Sequence, residues 1–154
     1  MKLIDALLGE HGTQYLLIDK IDSIVSSAKS MDEIQCAIAI LSAVIGAHSR
    51  LEDDLLEPAL EHHLGKTGPL AGMRAEHEEI KRALQQIEGT KRLDEGTDRV
   101  GQLIDLIRDH FQKEETVLFR VAEQVLSEDT QIQLGAAWAK ERGINIIQTD
   151  VSSP

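Results

Sequence analysis

His48-Ser49-Arg50-Leu51-Glu52-Asp53-Asp54-Leu55-Leu56 and His110-Phe111-Gln112-Lys113-Glu114-Glu115-Thr116-Val117-Leu118-Phe119 are the two stretches that decide how this chain is read. In each, a histidine and a glutamate stand four residues apart, which on an α-helix puts them one turn apart on one face. Upstream of the first, apolar residues recur at Ile34, Ile38, Leu41 and Ile45, and the series runs on through His48, Glu52, Leu55 and Ala59 in alternating steps of four and three. That is a heptad seam, the pattern of a helix packed against partners along its whole length. The second stretch continues a similar stripe: Val100, Leu103, Ile107, His110, Glu114, Val117, Val121. Two helices thus carry histidine and glutamate at consecutive positions of an otherwise apolar seam.

Working outward, two more helices carry a single inward histidine each. The spacing predicts a helix over 3–29 with Ile4, Leu7, Leu8, His11, Ile18, Ile21 and Val25 on one face, and another over 70–88 with Met73, His77, Ile80, Leu84 and Ile87. The seam helices span about 30 to 64 and 94 to 126. Ser30-Met31-Asp32-Glu33 reads as a capping box that starts the first of them, and Pro58 should kink or end it. Gly65-Lys66-Thr67-Gly68-Pro69 is a loop and Gly89 a stop. Ser127 can cap a short fifth helix that ends before Gly143 and sets Leu134 and Trp138 against the end of the others. The order His, HisxxxGlu, His, HisxxxGlu is an internal repeat, with intervals of 37 and 33 residues within the halves. Glu10-His11 matches Glu76-His77, and Glu52-Asp53 matches Glu114-Glu115. The expected fold is all-α: an up-and-down four-helix bundle over residues 1–143 with a short C-terminal helix, followed by a tail over 144–154.

Composition agrees. The chain has 154 residues, enough for one sizeable core, and 42% of them are hydrophobic, which argues against disorder. Aromatics are only 3%, so strand formers are sparse. The apolar runs look too short to span a bilayer, and no secretory leader is apparent at Met1. A single cysteine, Cys36, excludes an internal disulfide framework and fits a reducing cytoplasm. The net charge of −11 sets the chain against phosphate backbones, so neither nucleic acid nor a membrane is an expected partner.

Burying Glu52 and Glu114 among Ile and Leu is costly without a compensating partner. Ion pairing with protonated histidines leaves four histidines against two carboxylates, which does not balance. A pair of metal ions neutralises both carboxylates and uses every imidazole. Four imidazoles and two bridging carboxylates supply four bonds to each of two metals. An oxo or hydroxo bridge adds a fifth and leaves one octahedral position open for a small molecule. The imidazole-rich set suits two Fe ions, ahead of Mn or Zn. With two ferric ions, two carboxylates and an oxo bridge, the core carries about +2, which favours small anions and reduced oxygen species.

These residues resemble the hemerythrin-like (HHE cation-binding) domain family over roughly residues 3–126; the string from His110 to Phe119 is especially similar. The resemblance implies a non-haem di-iron site with His11, His48, Glu52, His77, His110 and Glu114 as ligands, Glu52 and Glu114 bridging. Oxygen-carrying hemerythrins have HisxxxHis on the third helix, where Lys81 stands four after His77 here, and HisxxxxAsp on the last, where this chain has HisxxxGlu. The six-ligand pattern is more similar to bacterial iron–sulfur repair proteins and to an iron-sensing domain of a ubiquitin-ligase subunit. Two functions follow as expectations. One is a cytoplasmic protein binding or sensing dioxygen, NO, peroxide or iron. The other is a di-iron oxidoreductase consuming peroxide or NO, or an iron donor in cluster repair. The apparent acid–base groups near the site are Tyr15 and Gln14, a scarcity that favours binding over catalysis. Tyr15 reads either as a donor near the site or as a core tyrosine with a wet hydroxyl. Cys36 reads as a small buried hydrophobe, His62 and His63 as exposed groups at a helix end, and Asp53, Asp54, Glu78 and Glu79 as a solvated face. The fifth helix is a candidate interface for a homo-oligomer.

Overall fold

A computed structural model describes residues 1–65 and 67–145. The chain forms α1 (Leu3–Ser27), α2 (Met31–Leu51), α3 (Glu57–Leu64), α4 (Pro69–Gly89), α5 (Leu93–Lys113), α6 (Phe119–Val125) and α7 (Glu128–Glu141). Two wide π turns, Glu52–Leu56 and Glu114–Leu118, join α2 to α3 and α5 to α6 without leaving the helical path. The result is an all-α four-rod bundle. The first and third rods are α1 and α4; the second and fourth are α2–α3 and α5–α6. Each rod packs against its two neighbours, and α7 lies across α1. The expected tail falls outside the described residues from position 146, as does Lys66 of the expected loop.

Local chemistry sets the boundaries. Ser30 caps α2 by accepting from the Glu33 amide at 3.4 Å. The return bond of the expected capping box is displaced by one residue: Glu33 accepts from the Lys29 amide at 3.0 Å. Ser127 accepts from the Thr130 amide and starts α7, and Gly143 at φ 67° stops it in the left-handed region that glycine adopts without strain. By length and composition alone the stretch Met31–Leu64 is apolar enough to cross a membrane, contrary to the expectation from its runs. In the fold that apolarity is the seam of a bundle helix, with His48 and Glu52 buried in it.

The π turns correct the heptad reading. Each closes with a bond between residues five apart, from the Glu57 amide to the Glu52 carbonyl and from the Phe119 amide to the Glu114 carbonyl. The extra residue advances the seam by one position. Leu56 and Leu60 are therefore buried where Leu55 and Ala59 were expected, and Leu118 and Ala122 where Val117 and Val121 were. Val117 is 50% exposed. Pro58 does not end the rod: it stands in the first turn of α3, where a missing amide hydrogen costs least. On α1, Leu8 is exposed and Gln14 takes a place on the buried face.

The apolar core is divided in two. One cluster joins Ile18, Ile38, Leu41, Ile80, Ile107 and Phe111 with their neighbours. The other joins Leu7, Leu56, Leu60, Met73, Phe119 and Trp138 with theirs. Between them lies a polar layer.

Because the π turn fixes the register below it, Leu118→Ala should destabilise the protein by about 2–5 kcal/mol, whereas Val117→Ala should stay within about 0.5 kcal/mol of the parent. Urea denaturation of the two variants measures this; the reverse order would restore the unbroken heptad.

Candidate metal centre

The polar layer contains His11 from α1, His48 from α2, Glu52 from the first π turn, His77 from α4, His110 from α5 and Glu114 from the second π turn. None is more than 8% exposed, and the two glutamates are at 0% and 2%. All six residues expected from the sequence are thus brought together. They form two overlapping groups, His11–His48–Glu52–Glu114 and Glu52–His77–His110–Glu114, each with its donor atoms within 4.8 Å of one another.

Each carboxylate presents one oxygen to each group. Glu52 Oε1 lies 3.3 Å from His48 Nε2 and Oε2 lies 3.4 Å from His77 Nε2. Glu114 Oε2 lies 3.3 Å from His11 Nε2 and Oε1 lies 3.2 Å from His110 Nε2. The wide turns begin at these two glutamates, so the same extra residue that shifts the lower seam also sets the carboxylates across the bundle axis.

Four more acidic residues surround the six; the sequence assigns no role to Glu10, Glu76 and Glu115, and in it Asp53 reads as part of a solvated face. Each histidine donates its Nδ1–H to one of them: His48 to Glu10 at 2.7 Å, His110 to Glu76 at 2.9 Å, His11 to Glu115 at 2.9 Å and His77 to Asp53 at 2.9 Å. A carboxylate can only accept here, so Nδ1 carries the hydrogen and Nε2 is turned to the centre. Asp53 is therefore not merely part of a solvated face. The pattern obeys the internal repeat: Glu10 and Glu76 precede the single histidines, and Asp53 and Glu115 follow the bridging glutamates. The repeated acidic neighbours were the available signal. Their partners lie on other rods, which the sequence does not reveal.

Electrostatics follow from this crowding. Burial works against a charge on His48, yet the Glu52 charge and the hydrogen bond to Glu10 outweigh it and hold His48 up at about 10. For His77 burial is likewise outweighed, by Asp53, Glu114 and Glu52, and the ring stands at about 12. Burial would raise Glu52, but His48 and His77 pull it well below the usual carboxylate range. Burial would raise Glu10 too, but hydrogen bonds from His48 and Arg142 bring it to about 2. At His48 and His77 the surrounding carboxylates thus favour positive charge.

The donor set fits a metal pair. Among the described residues no group hydrogen-bonds to either oxygen of Glu52 or Glu114, or to Nε2 of His77 and His110. His11 Nε2 and His48 Nε2 face each other at 2.9 Å although both Nδ1 atoms already carry hydrogens. Without a metal ion, protonated His48 donates to His11 across this gap; a cation held by both rings would take the place of that proton. Six carboxylates around four imidazoles (Glu10, Glu52, Asp53, Glu76, Glu114, Glu115) also revise the expected core charge. The outer four would outweigh a +2 inner core, with Arg142 and Lys113 returning part of that charge through Glu10 and Glu76, so attraction of anions would be weaker than the inner residues alone imply.

Other residues singled out from the sequence fall as follows. Tyr15 is half-buried, its ring 6.5 Å from that of His11 and edge-on to Phe111. Burial, then the charge and hydrogen bond of Glu115, push its phenol up to about 12. Gln14 is buried with an unpaired side-chain carbonyl and lines a cavity between α1, α2 and α7. Cys36 is exposed, against expectation, because it lies on the opposite side of α2 from Ile34, Ile38 and Leu41. His62 and His63 are exposed in the last turn of α3.

Comparison with known proteins agrees with this geometry. A DNA nickase from Nostoc sp. is 34% identical over 96 residues, which are 62% of this chain and 26% of that protein. The chain thus spans about a quarter of the length of that relative. No solved structure matches. The family model described as the hemerythrin HHE cation-binding domain matches residues 2–122, the region that contains all six inward residues and their four carboxylate partners. The chain belongs to the hemerythrin HHE cation-binding domain family.

Proposed function

We propose that this protein holds two iron ions at His11, His48, Glu52, His77, His110 and Glu114 and uses them to bind or sense a small molecule, dioxygen, NO or peroxide, in the cytoplasm. The observation that carries the reading is that each of two buried glutamates offers one oxygen to each of two histidine pairs. A single ion would use one oxygen and leave the other stranded in a dry core. When bound, a pair of irons supplies electrons and open coordination positions to a small ligand.

The chain's own residues hold and orient. The outer carboxylates fix the tautomer and angle of every imidazole, and the apolar clusters on either side keep water from the centre. Apart from the four outer carboxylates, each engaged with a histidine ring, the groups singled out near the centre are poorly suited to deliver protons. The Tyr15 phenol retains its proton to about pH 12, and Gln14 faces the cavity beside α7. This favours binding over turnover, with a peroxide- or NO-consuming oxidoreductase, or an iron donor for cluster repair, as the alternative. The nicking of DNA named for the Nostoc relative is not carried over, since a chain of net charge −11 repels phosphate backbones.

Metal analysis and Mössbauer spectroscopy of protein from iron-replete cells should give two irons per chain. A single zinc without a near-ultraviolet oxo-to-iron band would reject the reading. Glu52→Ala or Glu114→Ala should lose more metal than Tyr15→Phe, because each carboxylate serves both ions; metal content per folded chain measures this. In a further experiment the protein is reduced without air and given oxygen, peroxide or NO separately while absorption is followed. A stable adduct that releases as the ligand is withdrawn is expected. Consumption of peroxide or NO over many turnovers would replace the binder with the enzyme.

A further inference from the structure

The two halves of the centre repeat each other in sequence but are not held alike. Glu10, the carboxylate behind His48, accepts from three donors besides that histidine. Trp138 Nε1 donates to its Oε1 at 2.7 Å, Arg142 Nε to Oε1 at 2.6 Å and an Arg142 terminal nitrogen to Oε2 at 2.8 Å. Both residues come from α7. That helix is seated closely: a Cβ on Gly135 would overlap the Met1 carbonyl and crowd the backbone of Lys2 and Leu3. Among the described residues, Glu76, the matching carboxylate behind His110, accepts besides its histidine from Lys113 alone, at 2.6 Å, and that lysine is 62% exposed.

The surroundings differ in the same sense. His11 stacks on Phe111 with ring centres 4.0 Å apart and lies 5.3 Å from Phe119. His77, the corresponding residue, lines a cavity of about 440 Å³ between α2 and α4 with Ser49, Arg50 and Asp53. A second cavity of about 300 Å³, between α4 and the second π turn, reaches Glu114 past Gly72, Met73 and Val117. These two cavities border α4, the rod that carries His77, whereas the cavity of about 590 Å³ beside α7 is lined by Glu10, Trp138 and Arg142 and by none of the six inward residues. The helix that makes the difference, α7, lies beyond the residues 2–122 that match the family.

We infer that α7 is a latch on one metal position: Trp138 and Arg142 fix Glu10, Glu10 fixes the His48 ring, and the His11–His48 position retains its ion while the His77–His110 position exchanges its ion and takes the small ligand. Trp138, Arg142 and Glu10 are positioning residues, acting on the ion through His48. The inference rests on the two-iron reading above.

The test is release of iron from the reduced, fully loaded chain to an excess of a chromogenic ferrous chelator without air. Two phases of equal amplitude are expected. Arg142→Ala and Trp138→Phe should speed the slow phase about 10- to 100-fold, the range found when a partner of a metal-ligating histidine is lost, and leave the fast phase unchanged. Arg142→Lys should restore part of the slow phase. Lys113→Ala should act on the fast phase alone. The fluorescence of Trp138, the only tryptophan, reports whether α7 stays docked in Arg142→Ala; if it does not, Glu10→Gln, which changes no residue of α7 and whose docking the same fluorescence checks, gives the deciding rate. Two irons leaving in one phase, or either deciding variant speeding both phases equally, would overturn the latch while leaving the two-iron reading intact. A total of one iron per chain would overturn both.

Discussion

Two glutamates buried at the middle of an apolar bundle are the constraint to which the rest of this structure answers. A carboxylate removed from water without a partner is among the most costly groups a protein can bury. Glu52 and Glu114 are held at 0% and 2% exposure, with no hydrogen-bond donor to any of their four oxygens among the described residues. Four imidazoles are turned toward them, and those imidazoles are turned by four further carboxylates. The apolar clusters stop on either side of this layer because nothing apolar can occupy it.

Much of this was legible in the chain. Helix positions followed from the 3.6-residue period, and the inward direction of the histidines and glutamates followed from their sharing a seam with Ile and Leu. The repeat was visible as well. What the sequence concealed was of two kinds. The π turns leave no mark in an apolar pattern that fits a heptad equally well at Leu55 or Leu56, so the choice is made by the carboxylate that must cross the axis. The hydrogen bonds of the outer carboxylates run between rods, as from His11 to Glu115, and spacing along one helix says nothing of them. Cys36 departs from expectation for a simpler reason: a small apolar side chain suggests burial, but its angular position on α2 lies away from the seam.

Symmetry and its breaking have separate origins. The pseudo-two-fold arrangement of histidines, bridging glutamates and outer carboxylates comes from the repeated hairpin. The asymmetry comes from residues at corresponding places that do not match: Phe111 beside His11 but Ser49 near His77, Tyr15 four after one histidine and Lys81 four after the other. To these α7 adds Trp138 and Arg142 on one half only. A repeated scaffold can thus offer two alike sets of donors and still give them unlike surroundings.

The divided core bears on how the molecule holds together as a whole. Hydrophobic packing spreads cooperativity through a domain only where apolar contacts are continuous. Here the polar layer interrupts them, and the two clusters communicate through the helix backbones and through whatever binds the six inward side chains. A cation pair bound in that layer would act as a rivet between two small cores, and its binding energy would add to the coupling of the two ends of the bundle. How fully the centre is occupied would then set how far the two ends of the bundle unfold as one unit.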